Sequence, residues 1–216
     1  MKLWDYCVRD DSNPKELAGM AEKLGWNGVC ILGDKEIVKG RTETELVRGL
    51  VIDEKSPEIM KRRVIKERKK FGMIAVEGRD DRMNRVALET PELDILLPGK
   101  DGRIDAVMAK LAKENNVRIA FEFGVLLHST LEERGRIFSQ MLKNAQSVKT
   151  FKAPFAIVSG ALSEFGLRSP SELTAFGKVL GFDESEIKKS MSGHVVEENL
   201  KRLAGKWIRP GVEVGE

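Results

Sequence analysis

Few side chains in this 216-residue chain could do chemistry by themselves. There are two histidines, His128 and His194, and two cysteines, Cys7 and Cys30. A zinc cluster or a histidine-rich dinuclear centre draws on more such ligands than that. Both histidines read as surface or capping residues. Both cysteines lie in apolar runs, Tyr6-Cys7-Val8 and Val29-Cys30-Ile31, and read as buried free thiols. Gly-x-Ser-x-Gly is absent, and Val8-Arg9-Asp10-Asp11 stands where a nucleotide fold would place its glycine-rich loop. The acidic residues that fall in or at the ends of strands are Asp5, Glu77 and Glu122. As a pair, Glu77 and Glu122 would serve as general acid and base or as magnesium ligands. The alternative, and the favoured one, buries them in ion pairs with Arg79, Arg82 or Lys100.

Basic residues carry more information. Lys61 to Lys70 holds seven positive charges against one negative, although Lys+Arg 37 and Asp+Glu 34 leave the whole chain at only +3. The compensating acid must lie elsewhere, so charge is polarised in a way that steers a phosphate-bearing partner. Arg79, Arg82, Arg85, Lys100 and Arg103 form a second group near two adjacent strand ends, where guanidinium suits bidentate contact with phosphate. With Arg41 and Arg168, the RNA-binding candidates are Arg41, Lys61, Arg62, Lys66, Arg79, Arg82, Arg85, Lys100, Arg103 and Arg168. Aromatics are 6% of the chain, which favours a grip on backbone and shape over base stacking.

These groups need a scaffold, and its elements are legible. Apolar or β-branched runs at Leu3–Val8, Gly28–Leu32, Leu50–Asp53, Met73–Glu77, Leu93–Leu97, Val117–Phe123 and Phe155–Ser159 predict strands buried on both faces. One-sided apolar spacing between most of them predicts helices, as in Leu17, Met20, Ala21 and Leu24. Asn13-Pro14, Ser56-Pro57 and Ser169-Pro170 mark helix starts, and Gly25, Gly72 and Gly181 mark stops. The polar connection from Gly33 to Arg48 reads as a loop. Strand–helix alternation predicts a parallel α/β barrel, TIM-barrel-like and somewhat shortened, as one domain over 1–205 with a loose tail at 206–216. The charged N-terminus and the absence of a long apolar stretch predict a cytoplasmic protein that does not enter the membrane.

The stretch Val76-Glu77-Gly78-Arg79-Asp80-Asp81-Arg82-Met83-Asn84-Arg85, continuing to Leu93-Asp94-Ile95-Leu96, resembles protein component 3 of ribonuclease P, the archaeal counterpart of the eukaryotic thirty-kilodalton subunit. Trp4-Asp5-Tyr6-Cys7-Val8, Gly25-Trp26-Asn27-Gly28-Val29, Asn115-Asn116-Val117, Ser159-Gly160-Ala161 and Arg168-Ser169-Pro170 match the same family in order. The resemblance implies a distorted barrel related in shape to polymerase-and-histidinol-phosphatase enzymes. Those enzymes need His-x-His where this chain has Tyr6-Cys7-Val8, so the resemblance implies no metal centre and no cofactor held by the protein. It further implies a subunit assisting the catalytic RNA, which uses Mg2+, in removing 5′ leaders from precursor tRNA. The implied partners are that RNA, protein component 2 and the other protein subunits, with precursor tRNA met indirectly. A metal-assisted barrel hydrolase using Glu77 and Glu122 is the alternative activity, and a protein-only assembly module is a third reading.

Overall fold

The structure, a computed structural model, describes residues 1–9, 13–33 and 42–204, with backbone alone at 207–209 and 212–213. Seven strands form one sheet: β1 (Trp4–Val8), β2 (Gly28–Leu32), β3 (Glu45–Ile52), β4 (Met73–Glu77), β5 (Ile95–Leu97), β6 (Arg118–Glu122) and β7 (Phe155–Val158). Each pairs in parallel with the next in sequence. The barrel nearly closes, since Val8 and Ala161 form a parallel bridge and Arg9 N donates to Ala161 O at 2.8 Å.

Helices cover the outside. They are α1 (Pro14–Leu24), α2 (Pro57–Glu67), α3 (Asp81–Leu88), α4 (Ala106–Asn115), α5 (Phe123–Leu127), α6 (Leu131–Phe151), α7 (Pro170–Val179), α8 (Glu184–Ser190) and α9 (His194–Leu203). Among the described residues no helix is long and apolar enough to cross a membrane. Trp207–Arg209 and Val212–Glu213 pair antiparallel at the end of the chain.

Two apolar cores result, because strand residues alternate between faces. The outer core lies between strands and helices and includes Val29, Ile31, Leu96, Ile119 and Phe121. The inner core fills the barrel with Tyr6, Cys30, Leu32, Met73, Ala75, Ile95, Ala120 and Val158, joined by Val195 and Val196 of α9. The chain entering α9 thus plugs the amino-terminal mouth, where Trp4 N donates to Met191 O at 2.7 Å. Cys7 and Cys30 are buried free thiols, as their apolar runs predict.

Caps follow the sequence signals with two exceptions. Ser169 and Asp183 form capping boxes with Glu172 and Glu186, and Gly25 and Gly181 turn left-handed after their helices. Asn13 makes no side-chain cap bond, and Gly72 does not stop α2, which ends at Glu67. A second correction concerns the predicted loop from Gly33 to Arg48, because β3 begins at Glu45 and pairs five residues deep with β2. Glu45 is exposed and Leu46, Arg48 and Val51 are only half-buried, so the strand lacks the double burial that marks the others.

Candidate nucleic-acid interface and the closed barrel mouth

In a parallel barrel the loops at the carboxyl ends of the strands carry function. Here that mouth is filled by an arginine. Arg9, just past β1, donates to Glu77 Oε2 and to Glu122 Oε2, each at 2.8 Å. The favoured ion-pair reading of the two glutamates therefore holds, with a different partner. Arg79 instead pairs with Asp53 at 2.5 Å, Arg82 with Glu58 at 2.5 Å and Lys100 with Glu133 at 3.5 Å.

Burial works against the Arg9 charge, but Glu122 and Glu77 more than offset it and hold its pKa above the usual arginine value. Burial pushes Glu77 up, opposed by Arg9 and reinforced by Glu122. Cys7 Sγ also approaches Glu122 Oε2, at 3.7 Å, and burial raises its thiol well above the usual range. Asp5 lies beneath them at the seam, where its Oδ1 accepts from Cys7 N and Ser159 N, both at 3.2 Å.

Two glycines make this packing possible. A Cβ on Gly124 would come within 2.6 Å of Gly160 O. Gly160 itself has φ +62, and a Cβ there would sit 3.2 Å from Glu122 Oε2.

Metal-assisted chemistry requires carboxylates free to converge on an ion. Glu77 and Glu122 converge on a guanidinium, and among the described residues no group of three His, Cys, Asp or Glu side chains is placed to hold a metal ion. The donor set does not fit a divalent cation.

The basic run divides. Arg68 lies four residues past Val64 on the buried side of α2 and reaches Asp94 at 2.5 Å in a largely buried pair. Arg63 pairs with Glu54 at 2.8 Å and Lys70 with Glu67 at 2.9 Å. Lys61, Arg62, Lys66 and Lys69 make no ion pair among the described residues, and only Lys61 among them is half-buried. The positive excess on α2 is thus smaller than the sequence count.

Asp80 caps α3 by accepting from Met83 N at 2.7 Å, which sets Arg82 and Arg85 on its exposed side. The Arg82–Glu58 pair joins α3 to α2, and Arg62 lies one turn along from Glu58. Lys61, Arg62, Arg82 and Arg85 therefore share the α2–α3 side of the barrel. Arg79, Lys100 and Arg103 stand next to it on the rim, exposed, in the loops after β4 and β5. Arg168 is apart from this group: it lies over the Phe123 ring at 5.8 Å and donates to Leu167 O at 2.7 Å, holding the loop after β7. Arg41 lies outside the described residues. Both histidines are exposed.

Taken together, the fold and its mouth define an α/β-barrel protein whose carboxyl-end mouth is closed by a salt-bridge network. The chain belongs to the family described as RNase P subunit p30, whose model matches residues 2–203. The ribonuclease P protein component 3 of Methanosarcina barkeri is 30% identical over 232 residues, covering 100% of this chain and 96% of the relative. Its counterpart from Methanosarcina mazei matches to the same extent, 30% over 232 residues. A chain in the cryo-EM structure of archaeal ribonuclease P with mature tRNA superposes with a TM-score of 0.83 at 26% identity, covering 99% of this chain and 98% of that one. The protein is a subunit of ribonuclease P, the endoribonuclease of tRNA 5′ maturation in which RNA carries the catalysis, and it works within a complex of RNA and other protein subunits.

Proposed function

We propose that this subunit grips the catalytic RNA through the sugar–phosphate backbone, along the α2–α3 side and the adjoining rim. The observation carrying this reading is the juxtaposition of Lys61, Arg62 and Arg85, which make no ion pair among the described residues, with the exposed pairs of Arg79 and Arg82. Exposed pairs contribute little to folding, so these arginines can exchange a carboxylate for a phosphate at small expense. Arg103 and Lys100 extend the same surface around the rim. Arg168 is committed to its own loop and contributes less.

Protein component 2 is the partner with which it acts, and the magnesium ions of the reaction belong to the RNA. Precursor tRNA is met indirectly, through the assembled particle. Replacing Arg62, Lys66 and Arg85 with alanine should lower RNA affinity and reduce the slope of log K against log salt by about 0.7–0.9 for each phosphate that is no longer neutralised. An unchanged slope would place the RNA on another face. In a reconstitution with the catalytic RNA and component 2, leaving out this subunit should slow leader cleavage at moderate Mg2+. Equal rates with and without it would sink the reading.

A further inference from the structure

At the opposite end of the barrel lies an arginine whose surroundings the RNA reading leaves unused. Arg118 opens β6, and strand alternation puts it on the inward face with Ala120 and Glu122. Its guanidinium looks into a cavity of about 360 Å³ between the start of β6 and the α8–α9 corner, lined also by Lys189, Arg202, His194, Asn116 and Asn199. Among the described residues Arg118 makes no side-chain hydrogen bond and no ion pair. Burial lowers its pKa, and Tyr6, Asp94 and Glu198 offset that only in part.

The two carboxylates at this cavity do not neutralise it. Asp94 is already engaged, accepting from Arg68 at 2.5 Å, Ile74 N at 2.7 Å and Asn199 Nδ2 at 2.8 Å. Glu198 stands 3.9 Å from His194 Nε2 and is not within ion-pair distance of Arg118. Arg202 adds a third positive charge to the lining and donates to Asn199 Oδ1 at 3.4 Å. Among the described residues lining the cavity, Glu198 is thus the carboxylate left to balance Arg118 and Lys189, and it makes no ion pair with Arg118. Arg118 is half-buried, and its charge is only partly compensated from within the chain, so an anion entering the cavity would complete it.

We infer that this cavity is a phosphate-binding site, in which Arg118 makes the bidentate contact and Lys189 adds a point charge at the opening. A tetrahedral oxyanion supplies both the missing charge and the acceptors that a guanidinium fork requires. The site lies at the amino-terminal mouth and does not depend on the α2–α3 surface, so either assignment can fail without the other. Free phosphate and an RNA backbone phosphate share this chemistry, and the experiment separates them.

Thermal unfolding of the full chain is followed with increasing inorganic phosphate, for wild type, Arg118→Met and Lys189→Ala. Phosphate raises the midpoint of any protein somewhat by exclusion from its surface, so the difference between variants is the readout. Wild type should gain about 5–10 °C more than Arg118→Met when phosphate is about a hundredfold above the Kd found by calorimetry. Arg118→Met should unfold at a higher temperature than wild type in phosphate-free buffer, which a merely structural arginine would not do. Lys189→Ala, at an exposed position, should fold normally and bind phosphate about threefold to tenfold more weakly. If Arg118→Met also lowers affinity for the ribonuclease P RNA, with phosphate competing, the ligand is a backbone phosphate. If RNA affinity is unchanged while phosphate binding is lost, it is a small free anion. Equal phosphate responses in wild type and both variants, or no binding to wild type by calorimetry, would overturn the site.

Discussion

The two mouths of the barrel hold arginines in opposite circumstances. At the carboxyl end Arg9 sits between Glu77 and Glu122, 2.8 Å from each, and ties β1 to β4 and β6. At the amino end Arg68 is matched by Asp94, while Arg118 faces its cavity without an ion-pair partner among the described residues. Partial burial is common to all three, so burial does not decide the role. What decides it is whether a carboxylate of the same chain stands opposite. A matched guanidinium fixes strands relative to one another, and an unmatched one waits for charge from outside.

Removing a matched arginine should therefore be the most damaging change. Arg68 and Asp94 expose only 11% and 9% of their side chains, so Arg68→Met leaves a buried carboxylate with Asn199 and a backbone N–H alone. A loss of about 3–5 kcal/mol is expected in urea unfolding. The same substitution at Arg118 should have the opposite sign without phosphate. Like signs at the two positions would break the contrast.

Arg9→Met comes next, at about 3 kcal/mol, the lower end of that range because a quarter of the Arg9 side chain is exposed. Adding Glu122→Gln removes the more deeply buried of the two stranded carboxylates and should recover more than half of the loss. If the double variant is no more stable than Arg9→Met, the network holds the mouth by packing and not by charge.

Much of this scaffold is legible in the sequence. Gly28–Leu32 and Met73–Glu77 stand as read, and the other doubly buried strands fall within a few residues of their apolar runs. β3 was harder because Glu45 is exposed and Leu46 and Arg48 are only half-buried, so its first half lacks the continuous burial of the other strands. α3 was not legible as a helix, since Asp81, Arg82, Asn84 and Arg85 dilute its apolar face and Asn84 is itself buried.

At the site, the type of partner for Glu77 and Glu122 could be read, but not its identity. Arg9 is 68 and 113 residues away from them, and only the closed barrel brings three strand ends together. Arg68 did leave a signal, since Met60, Val64 and Arg68 recur at four-residue spacing and the first two are buried. Arg118 left a comparable one, an arginine on the inward alternation of a strand whose centre, Ile119-Ala120-Phe121, is apolar.

Asp5 offers the smallest and most specific test of the carboxyl mouth. It spans the seam between β1 and β7, and burial pushes its carboxyl up to about 6, opposed by Ser159 and Cys7 and reinforced by Glu122. In the unfolded chain an aspartate titrates near about 3.9. Between these values the folded chain holds a proton that the unfolded chain has released. Its contribution to stability is therefore full below about pH 4 and declines as pH rises to about 6, by about 2–3 kcal/mol. Asp5→Asn stays neutral throughout and should not show that decline. The unfolding free energy of the variant minus that of wild type should then climb by that amount across the window, whatever the fixed offset of the new amide. A flat difference would mean that the seam carries no displaced proton, and that Arg9 alone governs the electrostatics of this mouth.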